Sequence, residues 1–162
     1  VRFSSADGLV GCVLSVTFES EEVEFTIEKE GWNVYELNDG TTLKIRSIAV
    51  KIFKTKAVPP AKGGGFGIAG QNVLVAKARP DKMGKPPSSP HTREEIDKAP
   101  KTKMSYTERE EVWNTYLLPD NTRVKVKLVV TSITKTEGLY DQFGDPIYVV
   151  NSDNIITSEP VT

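Results

Sequence analysis

The chain has 162 residues, 38% hydrophobic and 27% charged, the composition of a soluble globular protein long enough to bury a proper core. Its 21 Lys and Arg balance 22 Asp and Glu, so no global field draws it toward nucleic acid or an anionic membrane, and no apolar run approaches the length of a membrane span. Cys12 is the only cysteine and His91 the only histidine, which excludes an internal disulfide, a multi-cysteine metal cluster and a histidine-based zinc site within one chain.

No metal, cofactor or small-molecule ligand is implied, and the lone cysteine favours a reducing, cytoplasmic setting over export. A chain that begins at Val1 is also compatible with trimming or processing.

From Val10 to Phe18 the residues alternate, with Val10, Cys12, Leu14, Val16 and Phe18 on one side, the period-two pattern of a half-buried strand. Cys12 falls on the apolar side, as a buried thiol does. Six glutamates follow between Glu19 and Glu30, interleaved with Val23, Phe25 and Ile27, and predict a strand with an acidic outer face.

The stretch Trp32 to Thr55 then occurs twice. Set without gaps against Trp113 to Thr136, at an offset of 81 residues, it is identical at 10 of 24 positions, among them Trp32/Trp113, Asn33/Asn114, Tyr35/Tyr116 and Asp39/Asp120. The match reaches upstream to Phe25-Thr26 and Tyr106-Thr107. Inside each copy lies a hairpin signal. Asn38-Asp39-Gly40-Thr41 places Gly40 where a tight turn demands positive φ, and Pro119-Asp120-Asn121-Thr122 places Asn121 there. Asp39 and Asp120 therefore read as turn formers.

Past the turn, Leu43 and Ile45 are odd-numbered but Ile48, Val50 and Ile52 even. Val124, Val126, Leu128 and Val130 likewise give way to Ile133. An extra residue in a long strand produces such a parity change, which predicts a bulge near Ser47 and another before Ile133. After Thr55 the copies diverge into loops expected at Ala57 to Gly70 and Glu137 to Asp145, each followed by a strand beginning at Asn72 or Asn154, with a further strand at Ile147 to Val150.

Arg79 to Lys103 holds five of the ten prolines and reads as a linker. Within it Thr92-Arg93-Glu94-Glu95 matches a capping box and Pro100 stops the helix that follows, which docks through Ile96 if it is stable. The expected organisation is all-β: a first β-unit over 1–78 with an extra N-terminal strand, a linker over 79–103 with a short helix at 92–99, and a second β-unit over 104–162. Long bent strands point to small barrels or sandwiches, related by a pseudo-twofold axis.

Candidate chemistry is sparse. The glycine run Gly63 to Gly67 lacks the Gly-Lys-Ser/Thr ending of a phosphate-binding loop. Asp141, Asp145 and Asp153 lack the spacing of a calcium loop, and His91 sits in the linker, away from any nucleophile pattern. The regions that differ between the copies therefore supply the candidate partner-binding residues Phe66, Gly67, Tyr140, Phe143 and Ile96. Trp32, Tyr35, Trp113 and Tyr116 read as core or unit-to-unit contacts.

The leading expectation is a non-catalytic binding or structural module, a subunit of a larger protein assembly or a self-associating one. The alternative is a single-stranded nucleic-acid binder using Lys44, Arg46, Lys125 and Lys127 beside those aromatics. An enzyme, glycan-acting for instance, ranks third, with no catalytic residues to name.

Overall fold

The period-two alternation that runs through both copies of the repeat produces strands, and the computed structural model describes residues 20–55 and 65–161. These form β1 (Ser20–Val23), β2 (Thr26–Lys29), β3 (Asn33–Leu37), β4 (Thr42–Thr55), β5 (Phe66–Lys77), β6 (Lys101–Met104), β7 (Tyr106–Glu110), β8 (Trp113–Leu117), β9 (Thr122–Tyr140) and β10 (Pro146–Pro160). The chain is all-β: β1, β3, β4, β5 and β7 make one antiparallel sheet and β2, β6, β8, β9 and β10 the other. Among the described residues neither sheet closes on itself, so of the two expected forms, barrel or sandwich, the closed barrel is absent and two open sheets share cores. The strand expected at Val10 to Phe18, with Cys12, lies outside the described residues, as does Ala57 to Gly64.

Each sheet is organised around one long strand. β5 runs along one edge of β4 from Thr42 to Lys54, while β3 and β1 divide the other edge, pairing with Thr42–Ile45 and Ile52–Thr55. In the second sheet β10 follows one edge of β9, while β8 and β6 divide the other. The four-residue turns 38–41 and 118–121 have the predicted chemistry. Gly40 has φ 85° and Asn121 φ 64°, and the carboxylates of Asp39 and Asp120 accept from the N–H of Thr41 and Thr122 at 2.9 and 3.0 Å.

The parity change is a bulge in both copies. Residues opposite β4 step from Ala49 to Lys51, leaving Val50 extra, and opposite β9 they step from Val130 to Ser132, leaving Thr131 extra. Val50 and Thr131 are again 81 apart. The first bulge thus lies three residues beyond Ser47, and Val50 is exposed while Ala49 and Ile52 are buried.

The short strands cross over. β7, from the second copy, pairs with β3 of the first, and β2, from the first, pairs with β8 of the second. The registers match at the same offset: Thr26 faces Leu117 and Ile27 faces Tyr116, as Thr107 faces Glu36 and Glu108 faces Tyr35. Such reciprocity, i to j and j to i, is what a twofold relation between the units requires. Sheet membership therefore does not follow the division into 1–78 and 104–162.

The repeated Trp-Asn-x-Tyr residues hold the crossing in place. Asn33 Oδ1 accepts from Val112 N at 2.7 Å and Asn114 Oδ1 from Gly31 N at 3.0 Å, while Asn114 Nδ2 donates to the Ser47 carbonyl. Tyr35 donates to Glu111 at 3.0 Å and Tyr116 to Glu30 at 2.8 Å, each ring meeting an aromatic of the exchanged segment edge-on, Tyr106 or Phe25. Two cores result, each drawn from both copies. One joins Tyr35, Leu37, Leu43 and Ile45 to Leu128, Val130, Ile133 and Tyr148; the other joins Tyr116, Leu118, Val124 and Val126 to Ala49, Ile52, Phe66 and Ile68. The bulges let one long strand serve both cores, its first half in one and its second half in the other.

Three expectations change. The acidic stretch to Glu30 is two strands in different sheets, because the chain must leave one sheet to reach the other. Ile147–Val150 and Asn154–Ile156 are parts of a single strand, β10. The second expected loop is short, because β9 continues to Tyr140, and the end of the first expected loop is strand, since β5 already begins at Phe66. The linker adds a 3-10 turn, Pro80–Lys82, and helix α1 (Arg93–Lys98), capped by the Thr92 hydroxyl accepting from Glu95 N. Lys101 Nζ closes the other end of α1 on the carbonyls of Ile96, Asp97 and Ala99, where the helix dipole is negative.

Candidate protein-contact surface

Register with β4 assigns the two faces of β5. Leu74 and Ala76 stand beside Ile45 and Leu43 on the core side, and Val73 and Val75 beside Arg46 and Lys44 on the outer side. Ala76 is partly covered by the core, but Val73, Leu74 and Val75 are 39%, 39% and 45% exposed, and Gln71 and Asn72 are exposed with them. Among the described residues β5 is paired along one edge only. Sheet edges are ordinarily guarded by charges, proline or short length, yet from Gln71 to Ala76 this edge carries none of these, and its first cation is Lys77. The corresponding part of β10 differs, since it carries Asp153, Glu159 and Pro160 around one exposed aliphatic, Ile155.

The residues singled out from the sequence divide. Phe66 and Gly67 are buried, Phe66 in the second core at the place Tyr148 holds in the first, so neither belongs to the surface. Tyr140 and Phe143 do come together with the linker. They line a groove of about 410 Å³ with Pro87, Ser88, Pro90 and His91, and Phe143 is 69% exposed at its edge. Beside the groove the linker is tied to this loop: Ala78 N donates to Asp145 Oδ1 at 2.9 Å and Gly84 N to the Gly144 carbonyl at 2.9 Å. Ile96 is half-buried on α1, away from the residues lining that groove.

The basic candidates are largely engaged within the chain. Arg46 pairs with Glu30 at 3.6 Å and Lys127 with Glu111 at 3.1 Å, the same two carboxylates that receive Tyr116 and Tyr35. Glu30 also accepts from Ala49 N, so its buried charge is met from three sides. Burial first, and then the neighbouring carboxylate, push both tyrosine pKa values upward and keep the phenols as donors. Lys125 and Lys127 lie 5.4 and 6.0 Å from the centre of the Trp113 ring, within cation–π range, and Lys44 is exposed.

The turn acids remain turn acids. Tyr148 donates to Asp39 Oδ2 at 2.8 Å and lies 2.9 Å from the buried Thr41 hydroxyl. Burial alone would raise the Asp39 pKa, but hydrogen bonds from Thr41 and Tyr148 outweigh it and hold it below its ordinary value. Asp120 has no such phenol among its described partners; hydrogen bonds from Thr122 hold its pKa down. Asp141 and Asp145 are loop formers, Asp141 Oδ1 accepting from Phe143 N and Asp145 N.

Among the described residues no three His, Cys, Asp or Glu side chains converge as a metal site, and no described helix is long and apolar enough to cross a membrane. No family model matches the chain, and neither curated proteins nor solved structures show a match to it. What fold and surface define is thus a class: an all-β chain whose described residues form two open sheets, with an uncharged apolar edge on β5.

Proposed function

We propose that this chain is a non-catalytic binding or structural module, a subunit of a larger protein assembly. The observation that carries the reading is the uncharged run Gln71–Ala76, exposed from Gln71 to Val75, on an edge of β5 that has no paired strand among the described residues, where edge N–H and C=O groups and exposed valines together offer a strand-pairing surface. The interlocked cores below it supply a rigid base, so pairing there orders few additional groups. Light scattering of the full chain, with a native pull-down from its source extract, tests the reading. A stable oligomer or complex that Val73→Lys/Val75→Lys abolishes supports it, and a strictly monomeric chain that retains no protein refutes it.

One observation favours a second reading, single-stranded nucleic-acid binding: Trp113 with Lys125 and Lys127 against its ring. It ranks behind because Lys127 and Arg46 already neutralise Glu111 and Glu30, leaving fewer cations for phosphate.

A further inference from the structure

We infer that the occupant of the β5 edge is β5 of a second copy of this chain, joined antiparallel about a twofold axis at Leu74; this rests on the assembly reading above. In an antiparallel pair, facing residues either both direct their backbone groups into the shared edge or both away from it. In a twofold pairing of one strand with itself, facing residue numbers therefore sum to an even number, and the axis passes through a residue that faces its own copy.

Three centres bring the exposed aliphatics into the pair, and they differ in what they oppose. A centre at Val73 sets Leu74 against Asn72 and Val75 against Gln71. A centre at Val75 sets Val73 against Lys77. A centre at Leu74 sets Leu74 against Leu74, each Val73 against Val75 of the other copy, Asn72 against Ala76 and Gln71 against Lys77. That register alone places all three aliphatics against aliphatics and opposes no like charges. On the outer face it produces the row Lys44, Val75, Val73, Arg46 across both copies. The two cations are then three strand spacings apart, about 14 Å, beyond the Debye length of about 8 Å at physiological salt.

The run has no charge with which to select a charged partner strand, and its composition is complementary to itself. β10 is unsuited to the same role, since Asp153, Glu159 and Pro160 punctuate the corresponding stretch. The pairing joins two five-stranded sheets into one continuous sheet across the axis.

The register yields a charge-swap test read by sedimentation or light scattering from micromolar to sub-millimolar chain. Val73→Lys/Val75→Lys puts lysine directly against lysine and weakens association by about tenfold or more. Val73→Lys/Val75→Glu puts lysine against glutamate and restores it. Both positions are exposed in the single chain, so both variants fold. In a Cys12→Ser background, Leu74→Cys brings two thiols together with Cα atoms about 4.5–5.5 Å apart, within disulfide reach, and mild oxidation gives a covalent dimer.

Association that ignores both charge variants and forms no such dimer overturns the inference while leaving an assembly through another surface. A monomer throughout the concentration range also overturns it, and if that monomer retains no protein in the native pull-down, the assembly reading falls as well.

Discussion

Replacing Asn114 with alanine removes two hydrogen bonds between the copies at once. Asn114 is 4% exposed; its Oδ1 accepts from Gly31 N and its Nδ2 donates to the Ser47 carbonyl, both at 3.0 Å. Two such bonds contribute about 2 kcal/mol net, and two backbone groups left poorly satisfied bring the expected loss to about 2–3 kcal/mol. At about 2–4 °C per kcal/mol for a chain of this size, the melting temperature falls by about 4–12 °C. Asn33→Ala removes the single bond to Val112 N and should cost about half as much.

The assay is urea unfolding followed by tryptophan fluorescence in two single-tryptophan backgrounds, because Trp32 and Trp113 each directly precede one of the asparagines. Interlocked cores predict coincident transitions from both reporters, shifted together by Asn114→Ala. Two separate transitions, or a loss below about 0.5 kcal/mol, would show that Asn114 does not lock the two copies together.

Further expectations follow from single sites. Tyr148→Phe removes the donor to Asp39 and should cost about 1–2 kcal/mol near neutral pH. The lowered folded pKa of Asp39 means that its contribution is full above its unfolded value of about 4 and is lost as pH falls through the folded one; stability measured from about pH 6 downward should thus decline less steeply in the variant. Gly84→Ala sets a Cβ 2.3–2.5 Å from the Tyr140 ring, so it should separate the linker from the Asp141–Asp145 loop, seen as faster amide exchange at Gly84 and Ala78 and a loss of about 1–3 kcal/mol. Finally, a single-stranded oligonucleotide titrated at low salt should show no binding; salt-sensitive binding that weakens in Lys125→Gln/Lys127→Gln would put the nucleic-acid reading first.

Much of the scaffold was legible because it is written in local chemistry. Gly40 and Asn121 announce their turns through the positive φ they tolerate, the parity change announces the bulges, and Thr92 announces the start of α1. The strand crossing was not legible. β2 and β7 occupy equivalent places in the two copies, so pairing within a copy or between copies satisfies the same local pattern, and what distinguishes them is the set of side-chain bonds across the crossing, those of Asn33, Asn114, Glu30 and Glu111 with Arg109–Glu36 and Arg123–Glu28.

Glu30 and Glu111 carry a signal in the sequence: both stand two residues before a tryptophan, at the offset of the repeat. Phe66 was misplaced because a glycine-rich run reads as loop, whereas Phe66 fills the core position of Tyr148. The contact surface was hidden for a different reason. Val73-Leu74-Val75 is an apolar run like any buried strand, and exposure is decided by what lies beside β5 in space.

Pairing of the β5 edge is read most directly by amide hydrogen exchange along β5, followed as a function of chain concentration. Pairing of this edge predicts that residues 71–77 exchange quickly in dilute solution and become protected as concentration rises, while 153–159 of β10 do not change. Association without any gain of protection at 71–77 would contradict it.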